Sequence, residues 1–424
     1  MNGGGLARWS GPLLILAFAA VGVSRVNAVF SGPARWVVLA GCAVLVLPHG
    51  FPRGLYGTRF MLASMIYAGY AALSSIWSEA PQLSALKGGA FLVVMTTGAT
   101  AGYLWVRYSR VDRALDLLGP LLVLAVGAGV LGTEGASIKT GEGVDLYQGA
   151  TSNPNYLGAL CAMALPLPAW KWMSGGRGGP RMGWMALCAV LVVAVIFSRS
   201  RAAMLILLCI GAGVWSVLGL RRKRLAGVPI FLGAALALLL APGLRDMATD
   251  DLVFKGNRGA GVLASRQGTW GESWDAAVQG AVWGLGYGVS AGADASSVGM
   301  TSTLGYGREK GNTQLGIVEE LGIVGLLLYL ASTVALFSAT RRAAVQAGSS
   351  TGASVLRMVI AALVGITLHS VFEAWYNAPG AMESMYYWVL AGVAMGLATD
   401  PRLCLPVADA MPTGFQPVGQ GRTA

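Results

Sequence analysis

Long uncharged apolar runs recur from one end of this chain to the other. A run of about 18 or more such residues is long enough to cross a bilayer. Only 12% of the residues are charged and 55% are apolar, whereas soluble domains carry about 25% charge. The chain therefore reads as an all-α polytopic membrane protein.

Breaks at charged residues, prolines and glycine clusters place spans near residues 11–24, 36–50, 60–77, 87–106, 114–133, 154–173, 183–198, 202–220, 226–243, 314–338, 355–375 and 384–400. The first run follows Arg8 and has the look of a signal peptide. No convincing small-residue cleavage site follows it and an even number of spans needs it, so it is kept as a helix. The expected organisation is nine spans over 1–243, a long loop with an amphipathic helix over 244–313, three spans over 314–400 and a tail over 401–424.

Lys and Arg in short loops favour the cytoplasmic side. With both termini inside, 18 of the 30 basic residues are cytoplasmic, among them Arg53, Arg107, Arg110, Lys171 and the run 221–224. The short outer loops then hold Arg25, Arg35, Lys87, Lys139, Arg199 and Arg201, and six more lie in segment 244–313. The net charge of +11 and the pI near 9.6 thus follow from topology. Nucleic-acid binding is not indicated.

Segment 244–313 is far longer than ordinary connections. Trp270, Trp274, Trp283, Tyr287 and Tyr306 are interleaved with charge there, which predicts order. Arg266, Trp270 and Trp274, spaced four apart, suit an amphipathic helix at the membrane surface. A shorter outer loop covers 134–152, and no repeat relates the two halves of the chain.

With only two histidines, His49 and His369, and five cysteines lacking ligand spacing, zinc-hydrolase and metalloprotease chemistry are poorly supported. No metal site or cofactor is expected. The stretch 284–288, Gly-Leu-Gly-Tyr-Gly, lacks the strand-turn-helix setting of a nucleotide loop and reads as a turn after the surface helix.

The outward arginines are more informative, because each works against the topology rule. Arg199 ends one helix, where the dipole favours a cation. Arg201 opens the next, where a bound anion would be stabilising. Arg258, Arg266 and Arg308 add positive charge to the long loop, with Arg266 at the start of the amphipathic stretch. Guanidinium groups bind phosphate bidentately and stay charged. A lipid diphosphate suits such a cluster, which would also stabilise charge on a departing diphosphate without a metal.

At these residues the sequence resembles the bacterial O-antigen ligase and polymerase family of polytopic GT-C-type glycosyltransferases. Four stretches carry the likeness in order: Trp77 to Pro81 with Ser84 to Leu86; Asn153 to Gly158; Ser198 to Ala203; and Ser265-Arg266 through Trp270 and Gly288 to Asn312 and Gly325. The resemblance covers about residues 70–330. It implies transfer of a polyprenyl-diphosphate-linked glycan to a sugar hydroxyl of a glycan or lipid-glycan acceptor. The setting would be the periplasmic side of a bacterial inner membrane, with membrane lipids and polysaccharide-assembly proteins as further partners. By position, Arg266 matches the family's long-loop arginine at the diphosphate. Either Arg199 or Arg201 matches the arginine between spans seven and eight, and the choice stays open.

One departure stands out. Many members have His-Asn entering the span after the long loop, and here the pair reads Gly311-Asn312. Glu319, Glu320 and the pair His369 and Glu373 are the catalytic candidates in its place. The pair is expected at i, i+4 on one face of span eleven. Asn153, Asn155 and Asn312 are substrate-binding candidates that also suit helix starts. The rival readings are a lipid-linked glycan transporter or flippase, and a noncatalytic assembly subunit. The lack of related halves argues against transport.

Overall fold

The computed structural model describes residues 4–29, 33–130, 137–139, 145–175, 179–221, 264–280, 282–290 and 310–399. The expected ninth span at 226–243, most of the long loop including Arg258 and Arg308, and the tail 401–424 lie outside the described residues. The described regular elements are helices, apart from one antiparallel pair of short strands, Ser137–Lys139 and Asp145–Tyr147.

The main helices are α1 Ser10–Ala20, α2 Ala34–Val46, α3 Arg59–Leu73, α4 Pro81–Tyr108, α5 Gly119–Val130, α6 Pro154–Ala164, α7 Pro166–Ser174, α8 Gly179–Ser198, α9 Arg201–Arg221, α10 Ala264–Gly280, α11 Thr313–Gln346, α12 Thr351–His369 and α13 Met382–Thr399. Among the described residues five of these, α4, α8, α9, α11 and α12, are long and apolar enough to cross a membrane. The helix starts follow local chemistry. Thr58, Asn153, Asn312 and Ser350 each accept a hydrogen bond from the backbone N–H three residues on. Pro81, Pro154 and Pro166 occupy first helical positions, where no N–H is needed.

Several expected spans are broken or shifted. Span six divides into α6 and α7, because Pro166 cannot donate to the helix ladder. Span five opens as a 3-10 segment, Val111–Leu118, before α5. Span eleven ends at His369 and not at 375, so Glu373 lies beyond the helix in a turn. Lys87 is not in a loop but well inside α4, where it is buried.

Small residues set the tightest packing. A methyl group on Gly102 of α4 would overlap the Val389 carbonyl of α13, and one on Gly392 would overlap the Ala99 carbonyl. Gly98 and Gly396 extend both faces by one turn, which is the small-xxx-small contact that lets helix backbones meet in lipid. Between α3 and α11 the link is polar, with the Ser64 and Ser332 hydroxyls 2.6 Å apart. Helices α9 and α12 run against each other through Gly213 beside Ala361 and Gly365 beside Ile206.

Pairings between distant turns define two ends of this helix set. At one end Val23 bridges Thr151, the Tyr287 N–H donates to Ser74 Oγ at 2.9 Å, and the Thr313 N–H donates to the Ser370 carbonyl at 2.9 Å. At the other, Trp170 Nε1 donates to the Asp112 carbonyl at 3.0 Å and Gly54 lies against Tyr103. Spans that alternate in direction require this grouping.

Candidate functional site

The glycine-rich segment 282–290 is wedged between α4 and a break in α11. Within the apolar run of α11, Gly322 is left-handed, with φ 63° and ψ −167°, so the helix ladder is interrupted there. The carbonyls released upstream are taken by the segment: Leu285 N–H donates to Glu319 O at 2.9 Å and Gly286 N–H to Glu320 O at 3.0 Å. A side chain at Gly284 would overlap the Glu320 backbone, and one at Gly286 would overlap Ser78. Lys87 Nζ closes the far side by donating to the Gly288 carbonyl at 3.1 Å. The segment is a structural turn, as its sequence context suggested.

Below it Lys310 is enclosed between two carboxylates. Its Nζ lies 2.6 Å from Glu320 Oε1 and 3.6 Å from Glu319 Oε2, and it donates to the Val289 carbonyl at 3.0 Å. All three side chains are inaccessible to solvent. The other Glu320 oxygen accepts from Asn377 Nδ2 at 3.0 Å, and Asn377 Oδ1 accepts from the Tyr67 hydroxyl. Tyr287, Tyr376 and Tyr387 pack around this network. Burial, reinforced by Tyr387, holds the Tyr376 hydroxyl well above the usual phenol range.

The same stretch of chain carries the surface helix. Trp270 Nε1 donates to the Gly311 carbonyl at 3.0 Å, and Ser273 Oγ donates to the Lys310 carbonyl at 3.1 Å. Trp270, Ser273 and Ala277 make the inward face of α10, while Trp274 and Val278 are more than 60% exposed. Arg266 occupies the first turn of this helix. Asn312 caps α11 through Leu315 and donates from Nδ2 to the Val371 carbonyl at 2.9 Å. Thr313 Oγ1 donates to the Glu373 carbonyl at 3.0 Å. The structure thus brings Asn312, His369, Glu373 and α10 together. His369 is buried and Glu373 half-buried.

The second cluster joins two of the sequence stretches. Gly158 on α6 is so close to Ser198, Ser200 and Ala203 that any side chain there would press on the turn between α8 and α9. In that turn Arg199 is left-handed, with φ 51°, the sole positive φ outside glycine among the described residues. Arg201 opens α9 and is half-buried. Asn153 is spent on capping, its Oδ1 accepting from Tyr156 N–H at 2.7 Å, and Asn155 is half-buried one residue past Pro154. Because α9 and α12 run antiparallel through Ile206 and Gly365, Arg201 and His369 belong to the same end of the helix set. Among the described residues no three His, Cys, Asp or Glu side chains are grouped as a metal site.

Residues 186–330 match the sequence family O-antigen ligase. Over those residues, about a third of its length, the chain is similar to that family. The matched stretch runs from within α8 through the kinked part of α11, taking in the Arg199 turn, α10, the glycine-rich segment and Lys310 with Glu319 and Glu320. It supports glycosyltransferase function of O-antigen ligase or polymerase type in general, with lipid-linked glycan substrates and polysaccharide biosynthesis. Together with the five long apolar helices, the match supports a multi-pass membrane protein. A comparison with curated proteins gave no match.

Two elements of this arrangement were not legible in the sequence. Lys310 reads there as a loop charge beside Glu309, yet it is buried and paired with Glu319 and Glu320, nine and ten positions on. Arg35 reads as an ordinary outer-loop charge. It instead lies half-buried over the Trp36 ring at 5.4 Å, against Gly380.

Proposed function

We propose that this protein transfers a glycan from a polyprenyl-diphosphate carrier to a sugar hydroxyl, on the outer face of a bacterial inner membrane, as ligase or polymerase. The observation that carries this reading is the anchoring of α10, with Arg266 in its first turn, onto the backbone of 310–311 by Trp270 and Ser273. That anchoring fixes an arginine-bearing surface helix beside Asn312 and the turn after His369. Arg266 binds the donor diphosphate. Arg199 and Arg201 act on the same anion from the neighbouring turn. The left-handed backbone at Arg199 supports giving it the larger part, since such strain in a bulky residue persists where a side chain must be aimed. With guanidinium groups neutralising the leaving diphosphate, no divalent metal is needed.

For acceptor activation, the enclosed ion pairs of Glu319 and Glu320 suit a positioning role. Glu373 is the better base. It is half-buried, it lies in the turn bonded to Asn312 and Thr313, and it stands where the family's missing histidine would be neighboured. His369, one turn away and buried, orients that turn through its carbonyl, which accepts from the Glu373 N–H at 3.1 Å.

The test is donor turnover by purified variants. Arg266→Ala should lose roughly 1.5–3 kcal/mol of transition-state or donor binding, the worth of a charge-assisted contact. Arg266→Lys should also be impaired, because it keeps charge without the fork. Wild-type transfer by correctly inserted Arg266→Ala overturns the assignment.

A further inference from the structure

Far from this cluster, at the opposite end of α4, lies a cavity of about 430 Å³ whose polar lining comes from His49, Arg53, Tyr103, Arg107 and Tyr108. Along α4, Lys87 beside the glycine-rich segment and Arg107 in the last turn are about 30 Å apart at ~1.5 Å per residue. The cavity is therefore distinct from the glycan-transfer site. No carboxylate lines it among the described residues.

The cavity is built on fixed elements. Arg53 begins the short helix Arg53–Tyr56, which carries fully buried Leu55 and is tied to α4 by the Tyr56 hydroxyl, 3.0 Å from Thr100 Oγ1. Gly54 lies so near the Tyr103 hydroxyl that any side chain would overlap it, and a methyl there would sit 3.3 Å from Thr399 Oγ1. Arg107 stands in the last turn of α4. The Tyr108 hydroxyl is 3.2 Å from His49 Nδ1, which fixes the imidazole at the rim. The border is apolar and open: Leu47 is 73% and Phe51 71% exposed, with Phe51 edge-on to Tyr56.

Two guanidinium groups, tyrosine hydroxyls and an imidazole around one cavity are donors for a phosphate oxyanion. Exposed apolar side chains beside that cavity are what acyl chains would cover. We propose that this cavity binds the phosphate headgroup of an anionic phospholipid, at the membrane surface opposite the transfer site. Tyr103 and Tyr108 then take the interfacial place typical of aromatic residues. The Lys/Arg bias of the loops puts this surface on the cytoplasmic side, where anionic lipids attract basic segments. The bound headgroup would brace the contact between α4, α13 and the Arg53 helix. A free phosphate offers the same anion without acyl chains, and the probes below separate the two.

The experiment uses delipidated full-length protein in detergent, with phosphatidylglycerol, phosphatidylcholine and inorganic pyrophosphate as probes. Lipid retention is read by native mass spectrometry and protection by thermal melting. Wild-type protein should retain phosphatidylglycerol over phosphatidylcholine, and Arg53→Gln with Arg107→Gln should weaken that retention about tenfold or more. The Lys pair at the same positions should fall between, and serves as the readout if the Gln pair melts early. A control pair on the exposed C-terminal part of α11, Arg341→Gln with Arg342→Gln, should leave retention unchanged. Protection by pyrophosphate alone, with displacement of lipid, would assign the same cavity to a soluble phosphate. Equal retention of the two lipids, or equal losses from the cavity pair and the control pair, overturns the proposal.

Discussion

Lys310 shows how much of this molecule turns on single buried charges. Its ammonium is compensated by Glu320 at 2.6 Å and Glu319 at 3.6 Å, and its backbone carbonyl receives Ser273 of the surface helix. Removing one partner of a buried pair leaves uncompensated charge, which costs about 3–5 kcal/mol. Lys310→Met should therefore melt far below wild type in detergent and lose transfer with it. Glu320→Gln should be milder, since Glu319 still faces the ammonium and the amide still bonds Asn377. Wild-type melting of Lys310→Met would show that the network is not structural. None of this was readable in the chain: Glu319 and Glu320 stand in an apolar run, and nothing about them says which cation enters it. Asn312 is the opposite case. Its type and its place before a run announce a helix cap, and a cap is what it forms.

Among the elements, the apolar runs foretold most of the helices because burial in lipid leaves little alternative to a helix. The breaks within those runs were less legible. Pro166 divides span six as its chemistry demands. Gly322 does so for a reason outside the run: the glycine-rich segment must reach the carbonyls of Glu319 and Glu320. The early end of α12 likewise depends on contacts from Asn312 and Thr313 to the turn beyond it. The α4 and α13 pairing is a direct consequence of Gly98, Gly102, Gly392 and Gly396. Gly102→Val should force those backbones apart and cost roughly 1–3 kcal/mol, the range for overpacking. The check is the melting temperature against Gly41→Val, a position with open space around it. Equal melting of the two variants would contradict the packing account.

For the whole molecule, the reading depends on which face carries the cluster at the ends of α10 and α11. The helix ends gather into two groups as alternating spans require, and the Lys/Arg bias predicts that the cluster lies outside. In a cysteine-free background, Trp283→Cys should react with an impermeant maleimide in intact cells, and Arg110→Cys only after lysis. The reverse pattern would put the arginines on the nucleotide side and remove the basis for glycan transfer there.

The central claim is bond cleavage at a lipid diphosphate, and turnover by purified protein in proteoliposomes tests it most directly. With a polyprenyl-diphosphate oligosaccharide and a glycan acceptor, the account predicts acceptor-dependent transfer that releases polyprenyl diphosphate and persists in EDTA. Movement of intact donor across the bilayer without cleavage, or transfer abolished by EDTA and restored by magnesium or manganese, would contradict it.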